Sequence, residues 1–181
     1  MAYLYGYNEI IPGLYLSSGN AACNEMNAEK YKISCIVNCT HNLPNADWTE
    51  RRRDIKLCRV SLPSESDLLT VNYRDRPSEP IKNAFDTITR VINEELKIGG
   101  AVLVHCNMGV SRSTSVILAF LMKYWGMPLR RAFELVRSKR SCVNPNIGFW
   151  KQLIKYEEII FHKNTVEFEI GPKGCMPNVC I

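Results

Sequence analysis

A cysteine, a glycine three positions on and an arginine six positions on close an apolar run: Val102-Leu103-Val104-His105-Cys106-Asn107-Met108-Gly109-Val110-Ser111-Arg112-Ser113. A loop that wraps from a strand into a helix start turns successive backbone N–H groups inward and makes an anion nest. The helix dipole adds positive charge at the same place. Gly109 supplies the positive φ that a closed curl needs. Arg112 offers a planar fork to two phosphate oxygens. Cys106 then lies beneath the phosphorus, where the same positive surroundings stabilise its thiolate. The chemistry implied is in-line phosphoryl transfer to sulfur, followed by hydrolysis of the thiophosphate. No metal or other cofactor is expected, because the nest and Arg112 balance the charge.

Asn107, Met108, Gly109, Val110, Ser111 and Arg112 are the expected phosphate-binding residues. His105, one position before the nucleophile, is expected to point away from the phosphate and to support the site by hydrogen bonding. Ser113 is placed to donate its hydroxyl to the thiolate and ease its departure in the second step. Its plainer reading is a serine in the first turn of a helix.

The elements around this loop are legible from periodicity. Leu14-Tyr15-Leu16 reads as a strand after the Pro12-Gly13 turn, Asn20 to Lys32 as a helix capped by Asn20, and Ile33 to Asn38 as a buried strand. Ile55 to Leu62 reads as another strand, and Pro63 to Pro80 as an exposed loop. Ile81, Phe85, Ile88, Ile92 and Leu96 form one apolar face of a helix from about Ser78 to Lys97, stopped by Gly99-Gly100. The strand Ala101–His105 leads through the loop into a helix from Arg112 to Trp125. Helices from Leu129 and from Ile147 to Phe161 follow, and Lys163 to Ile181 shows no periodicity. Alternating helices and strands predict a single α/β domain with a central, mostly parallel sheet flanked by helices. Ligands of such sheets bind beyond the carboxyl ends of the strands, where this loop lies. Residues 1–162 are expected to form the catalytic domain and 163–181 a C-terminal tail.

Composition bounds the rest. At 181 residues, 46% hydrophobic and 23% charged, the chain fits a one-domain globular protein. The longest apolar run, Val116 to Met122, falls short of the about 20 residues that span a bilayer. No N-terminal signal pattern is visible, so a cytoplasmic location is expected, with the nucleus also open. A net charge of +5 suits anionic substrates but is too small to argue for nucleic acid. The eight cysteines include no CxxC pair. They read as reduced thiols, most of them filling core positions.

Val102-Leu103-Val104-His105-Cys106-Asn107-Met108-Gly109-Val110-Ser111-Arg112-Ser113-Thr114-Ser115 resembles the active-site loop of the dual-specificity protein phosphatases, within the cysteine-based protein tyrosine phosphatase superfamily. Ile11-Pro12-Gly13-Leu14-Tyr15-Leu16 is similar to that family's opening strand, Ile36-Val37-Asn38-Cys39-Thr40 to its second, and Asn144-Pro145-Asn146-Ile147-Gly148-Phe149 to the segment before its last helix. The length resembles the small atypical group, with no room for an N-terminal docking domain. The resemblance implies hydrolysis of phosphotyrosine and phosphoserine/threonine in proteins. It also implies a general acid on the loop before the helix that precedes the catalytic strand. Asp75, 31 residues before Cys106, holds that place, with Asp67 as the alternative. The flanking Arg74 and Arg76 would disfavour the protonated form of Asp75 unless they face the substrate.

Two other functions are open: a phosphatase of a non-protein substrate, such as a phosphoinositide or an RNA 5′-triphosphate, and a non-catalytic phosphate-binding scaffold. The neutral side chains of Asn107, Met108, Val110 and Ser111 disfavour a highly charged headgroup. The presence of Cys106, Arg112 and Asp75 disfavours the scaffold. Phosphorylated proteins are therefore the expected partners, with no nucleic acid and no membrane span. Arg51-Arg52-Arg53 before Ile55 and Leu57 has the pattern of a kinase-docking segment, although Ile55 and Leu57 read more simply as inward strand residues.

Overall fold

Strands that are apolar at both odd and even positions can be covered on both faces, and the three inner strands of the central sheet are buried along their whole length. The computed structural model describes residues 6–40, 49, 52, 54–59, 74–171 and 174–179. Strands β1 (Asn8–Ile11), β2 (Leu14–Ser18), β3 (Cys35–Asn38), β4 (Lys56–Arg59) and β5 (Val102–Cys106) form one sheet in the order β1-β2-β5-β3-β4. Only the β1–β2 pair is antiparallel. Leu14, Leu16, Cys35, Val37, Val102 and Val104 face a large core on one side, while Tyr15, Ile36 and Leu103 face a smaller one on the other.

Helices α3 (Lys82–Lys97), α4 (Arg112–Trp125), α5 (Leu129–Lys139) and α6 (Ile147–Phe161) build the large core. Helix α4 runs through its centre and is buried continuously from Arg112 to Met122. The short helices α1 (Gly19–Ala22) and α2 (Glu25–Lys30) belong to the other face. β5 is thus the middle strand, and the loop that follows its carboxyl end, residues 107–111, runs straight into the central helix. Among the described residues no helix is long and apolar enough to cross a membrane.

Several boundaries differ from the periodicity. The helix expected from Asn20 to Lys32 is two helices, capped by Ser18 Oγ on the Ala21 amide (3.2 Å) and by Asn24 Oδ1 on the Asn27 amide (3.4 Å). Asn24 competes locally for backbone donors, which starts a new helix instead of continuing the old one. Helix α3 begins at Lys82 and not near Ser78, because Pro77 and Pro80 disfavour helix before it. In the strand expected from Ile55, β4 covers Lys56–Arg59, and residues 60–62 lie outside the described ones. Ile55 is buried, but Leu57 is 38% exposed on the edge strand and is not inward-facing. Of the described cysteine side chains, Cys35, Cys39 and Cys106 are buried, whereas Cys23, Cys142 and Cys175 are exposed thiols and not core filler.

The described residues after 162 are tied to the domain. A hairpin of β6 (Phe168–Gly171) and β7 (Gly174–Pro177) follows Val166, which is fully buried in the main core. The tie runs through Glu157, a fully buried carboxylate on α6. It accepts the Leu129 amide at the start of α5 (2.7 Å), the Thr165 hydroxyl (2.6 Å) and the Thr165 amide (2.9 Å). Pro128 gives α5 no side-chain cap, so Glu157 supplies the negative charge that the helix N-terminus needs. Glu157→Ala should therefore lower stability by about 3 kcal/mol, since it leaves buried donors unsatisfied. Urea unfolding checks this, and a loss under about 1 kcal/mol would mean that water replaces the carboxylate.

Candidate active site

The cradle is shaped from outside. Its four successive carbonyls, residues 107 to 110, each accept a hydrogen bond from the scaffold. The Asn107 carbonyl takes the Gly19 amide (3.1 Å), and the Val110 carbonyl takes the Asn144 amide (2.9 Å). Those of Met108 and Gly109 take Arg140 Nη2 and Nε, both at 2.9 Å. With the carbonyls fastened outward, the intervening amides are left to face the pocket, which is what an anion nest requires. Gly109 (φ +66°) is essential to the curl, because a Cβ there would overlap the Ser17 backbone.

Cys106 sits at the floor, on the large-core face of β5, and is 1% exposed. Its Sγ accepts the Gly109 amide at 3.3 Å and the Ser113 hydroxyl at 3.2 Å. Burial pushes the thiol up, but the Ser113 hydroxyl and amide, the Arg112 guanidinium and the Val110 amide outweigh it and hold the thiol below its usual range. Cys39, just past the end of the neighbouring strand β3, belongs to the same core, and burial and the Cys106 charge push its thiol strongly up, against the lowering pull of Arg112. One buried cysteine is thus set for a thiolate and its neighbour for a thiol. Ser113 lies in the first turn of α4, fully buried, with its hydroxyl on Sγ. Arg112 begins the same helix and is buried. Asn107 and Met108 form the exposed outer rim. His105 is buried, and strand alternation turns it to the face opposite Cys106.

Asp75 stands at the rim of the cradle. Its Oδ1 accepts the Ser111 hydroxyl at 2.7 Å and the Asn146 side-chain amide at 2.8 Å. The loop that carries it is seated on the start of α6. A Cβ on Gly148 would overlap the Pro77 backbone, and Gln152 bonds the Glu79 carbonyl (2.8 Å) and the Lys82 amide (2.9 Å). The alternative, Asp67, lies outside the described residues, as do Arg51 and Arg53 of the basic cluster. Arg52 is bound to Asp54 through two hydrogen bonds, 2.8 and 2.9 Å.

Sequence reasoning missed the tethers. Arg140 ends a basic helix and reads as surface charge, yet it is fully buried and also donates to Asn8 Oδ1 at 2.7 Å. Nothing in its local pattern marks it. Asn146, Gly148 and Gln152 carried a faint signal, a polar, small and polar residue on the otherwise apolar start of α6.

With this geometry in view, comparison with known proteins is decisive. The family model for the dual specificity phosphatase catalytic domain matches residues 14–159. The chain belongs to the dual-specificity phosphatases. It is 36% identical over 176 residues to dual specificity protein phosphatase 14 of Bos taurus, covering 97% of this chain and 81% of that one. The crystal structure of human DUSP28 superposes with a TM-score of 0.73 at 30% identity, covering 84% of this chain and 93% of the other. A human tyrosine phosphatase-like serine/threonine/tyrosine-interacting protein also superposes, with a TM-score of 0.67 at 34% identity, covering 86% and 97%. The chain thus belongs to a family of cysteine-based phosphatases whose fold it shares, an α/β domain with a mostly parallel sheet.

The balance of forces on Sγ can be measured. Thiolate absorbance, taken as the difference from Cys106→Ser, should titrate below the about 8.5 of a free cysteine. Ser113→Ala removes the strongest lowering partner, so its midpoint should move up and less thiolate should form at a given pH. A Cys106 midpoint at the free-thiol value, unmoved by Ser113→Ala, would contradict this balance.

Proposed function

We propose that this phosphatase hydrolyses phosphotyrosine and phosphoserine/threonine monoesters of proteins through a phosphocysteine intermediate. The observation that carries this reading is one buried sulfur held toward its thiolate under a cradle whose carbonyls all face outward, with a carboxyl group fixed at the rim. Sγ attacks phosphorus in line, the S–P bond forms, and the P–O bond to the leaving group breaks. Arg112 and the cradle amides hold the charge spread over the equatorial oxygens. Asp75 gives its proton to the departing oxygen. In the second step the Asp75 carboxylate takes a proton from water as the water oxygen attacks phosphorus. The S–P bond breaks, inorganic phosphate leaves, and the returning thiolate is met by the Ser113 hydroxyl.

The rim residues favour a protein substrate over a polyanionic one. Asn107, Met108, Val110 and Ser111 bring no cation beyond Arg112, whereas a phosphoinositide headgroup or a triphosphate carries several charges to be matched. A phosphate-binding scaffold needs the cradle but not a depressed thiol or a seated carboxyl, and both are present here.

Turnover separates these readings. Cys106→Ser keeps the side chain's size but holds its proton, so hydrolysis of phosphopeptides should vanish while phosphate binding persists. Activity within about tenfold of wild type would end the covalent mechanism. Arg112→Lys keeps charge but loses the fork and should cost on the order of 10²-fold in the rate of chemistry. Asp75→Asn should slow phosphopeptide hydrolysis by about 10²-fold and an activated aryl phosphate far less, and should remove the basic-side fall of the pH–rate curve. Phosphopeptide turnover untouched by Asp75→Asn would pass the role to another acid, Asp67 first. Hydrolysis of phosphoinositides or RNA 5′-triphosphates in preference to phosphopeptides would overturn the protein-substrate reading.

A further inference from the structure

We infer that Asn146, together with Ser111, is a positioning residue for the general acid: the two fix which oxygen of Asp75 carries the transferable proton. This rests on the reading of Asp75 as the acid and goes beyond it. The hydrogens in this cluster have no freedom. Asn146 Oδ1 accepts the Phe149 amide at 3.0 Å as the N-cap of α6, and that bond decides which end of its amide is oxygen. Its Nδ2 must then face Asp75 and donate to Oδ1 at 2.8 Å. The Asn146 backbone amide, which can only donate, points at Ser111 Oγ at 3.0 Å. That leaves the single Ser111 hydrogen to go to Asp75 Oδ1 at 2.7 Å.

Asp75 Oδ1 thus receives two hydrogens from fixed donors and cannot hold one of its own. The acid proton resides on Oδ2, which has no hydrogen bond among the described residues. Ser111 is the N-cap position of α4, yet it makes no side-chain cap there, because its hydroxyl is spent on the carboxyl group. One residue thereby joins the cradle to the acid, and Asn146 joins both to α6. When the P–O bond breaks, the Oδ2–H bond gives its proton to the leaving oxygen, and the new negative charge is shared with the oxygen that already accepts two donors. A carboxyl group free to rotate would present either oxygen and would lose part of that alignment.

The charged surroundings define how a pH profile reads. On its own loop Asp75 is flanked by the exposed Arg74 and Arg76, with Glu79 four residues on. The cradle brings Arg112 and Cys106 to the same pocket, along with the neutral Ser111, and α6 contributes the neutral Asn146. Among the described residues Asp75 forms no ion pair.

Asn146→Asp is the discriminating variant. Aspartate caps a helix as well as asparagine, so the Phe149 bond and the fold are kept, and thermal unfolding checks that they are. It cannot donate to Asp75, and it sets a second carboxylate beside it. The expected result is a kcat for phosphopeptides lowered by about tenfold or more, with a much smaller loss on an activated aryl phosphate. The basic-side fall of the pH–rate curve should move to higher pH, because a neighbouring negative charge favours the protonated form of Asp75. Ser111→Ala should show the same dependence on leaving group. An equal loss on both substrates, or no loss on either, or an unmoved falling limb would overturn the inference. Asp75→Asn run alongside separates the two readings. If it slows phosphopeptides far more than the aryl phosphate while Asn146→Asp shows no such difference, only the positioning role fails. If Asp75→Asn itself has no effect on phosphopeptides, both fail.

Discussion

A thiolate inside an apolar core must be compensated where it forms, and the Cys106 sulfur is held toward that form. It belongs, with Val104, Val116 and Ile117, to the same core that holds the sheet to α4. Burial alone would keep it a thiol, as it does for Cys39 just past the end of β3. The difference between the two cysteines is the loop that follows one of them. Cys106 has an amide and a hydroxyl aimed at its sulfur and an arginine beside it, and all of them come from residues 109 to 113. The start of α4 must therefore lie at the end of β5, on the large-core side. The central place of both elements in the fold follows from that requirement.

The acid side obeys a related constraint. A proton donor is useful only at a fixed distance from the sulfur, and Asp75, proposed above as that donor, lies on a separate stretch of chain. Both are seated on residues 144–152, around the start of α6, with the cradle stitched to Asn144 and the Asp75 loop to Asn146, Gly148 and Gln152. A single short segment thus sets the separation between Cys106 and Asp75.

Much of this was legible in the sequence, and the reasons are physical. Period-two and period-3.6 patterns gave the strands and the long helices, and the spacing of Cys106, Gly109 and Arg112 gave the cradle, because both depend on local geometry. What stayed hidden depends on approach between distant segments. The break in the helix expected from Asn20 to Lys32 came from local capping that competed with a longer pattern. Arg140 looked like one more cation on a basic helix, since only the folded chain shows Met108 and Gly109 facing it. Leu57 looked inward by alternation, but edge position decided its exposure. Glu157 sits in a run, Tyr156-Glu157-Glu158, in which nothing distinguishes the buried carboxylate from its exposed neighbour.

The tethers of the cradle also have a bearing on how the chain acquires its pocket. Arg140 reaches 31 and 32 residues back to Gly109 and Met108, and 132 residues back to Asn8. Gly19, near the opposite end of the chain, holds the Asn107 carbonyl. Contacts that close such long stretches form late, because the loop entropy must be overcome before they return any stability. The pocket is therefore a product of the completed topology and not of its own nine-residue loop. Partial opening at either end of the domain would free carbonyls of the loop while the central helices still hold, so the shape of the pocket depends on the last stage of folding.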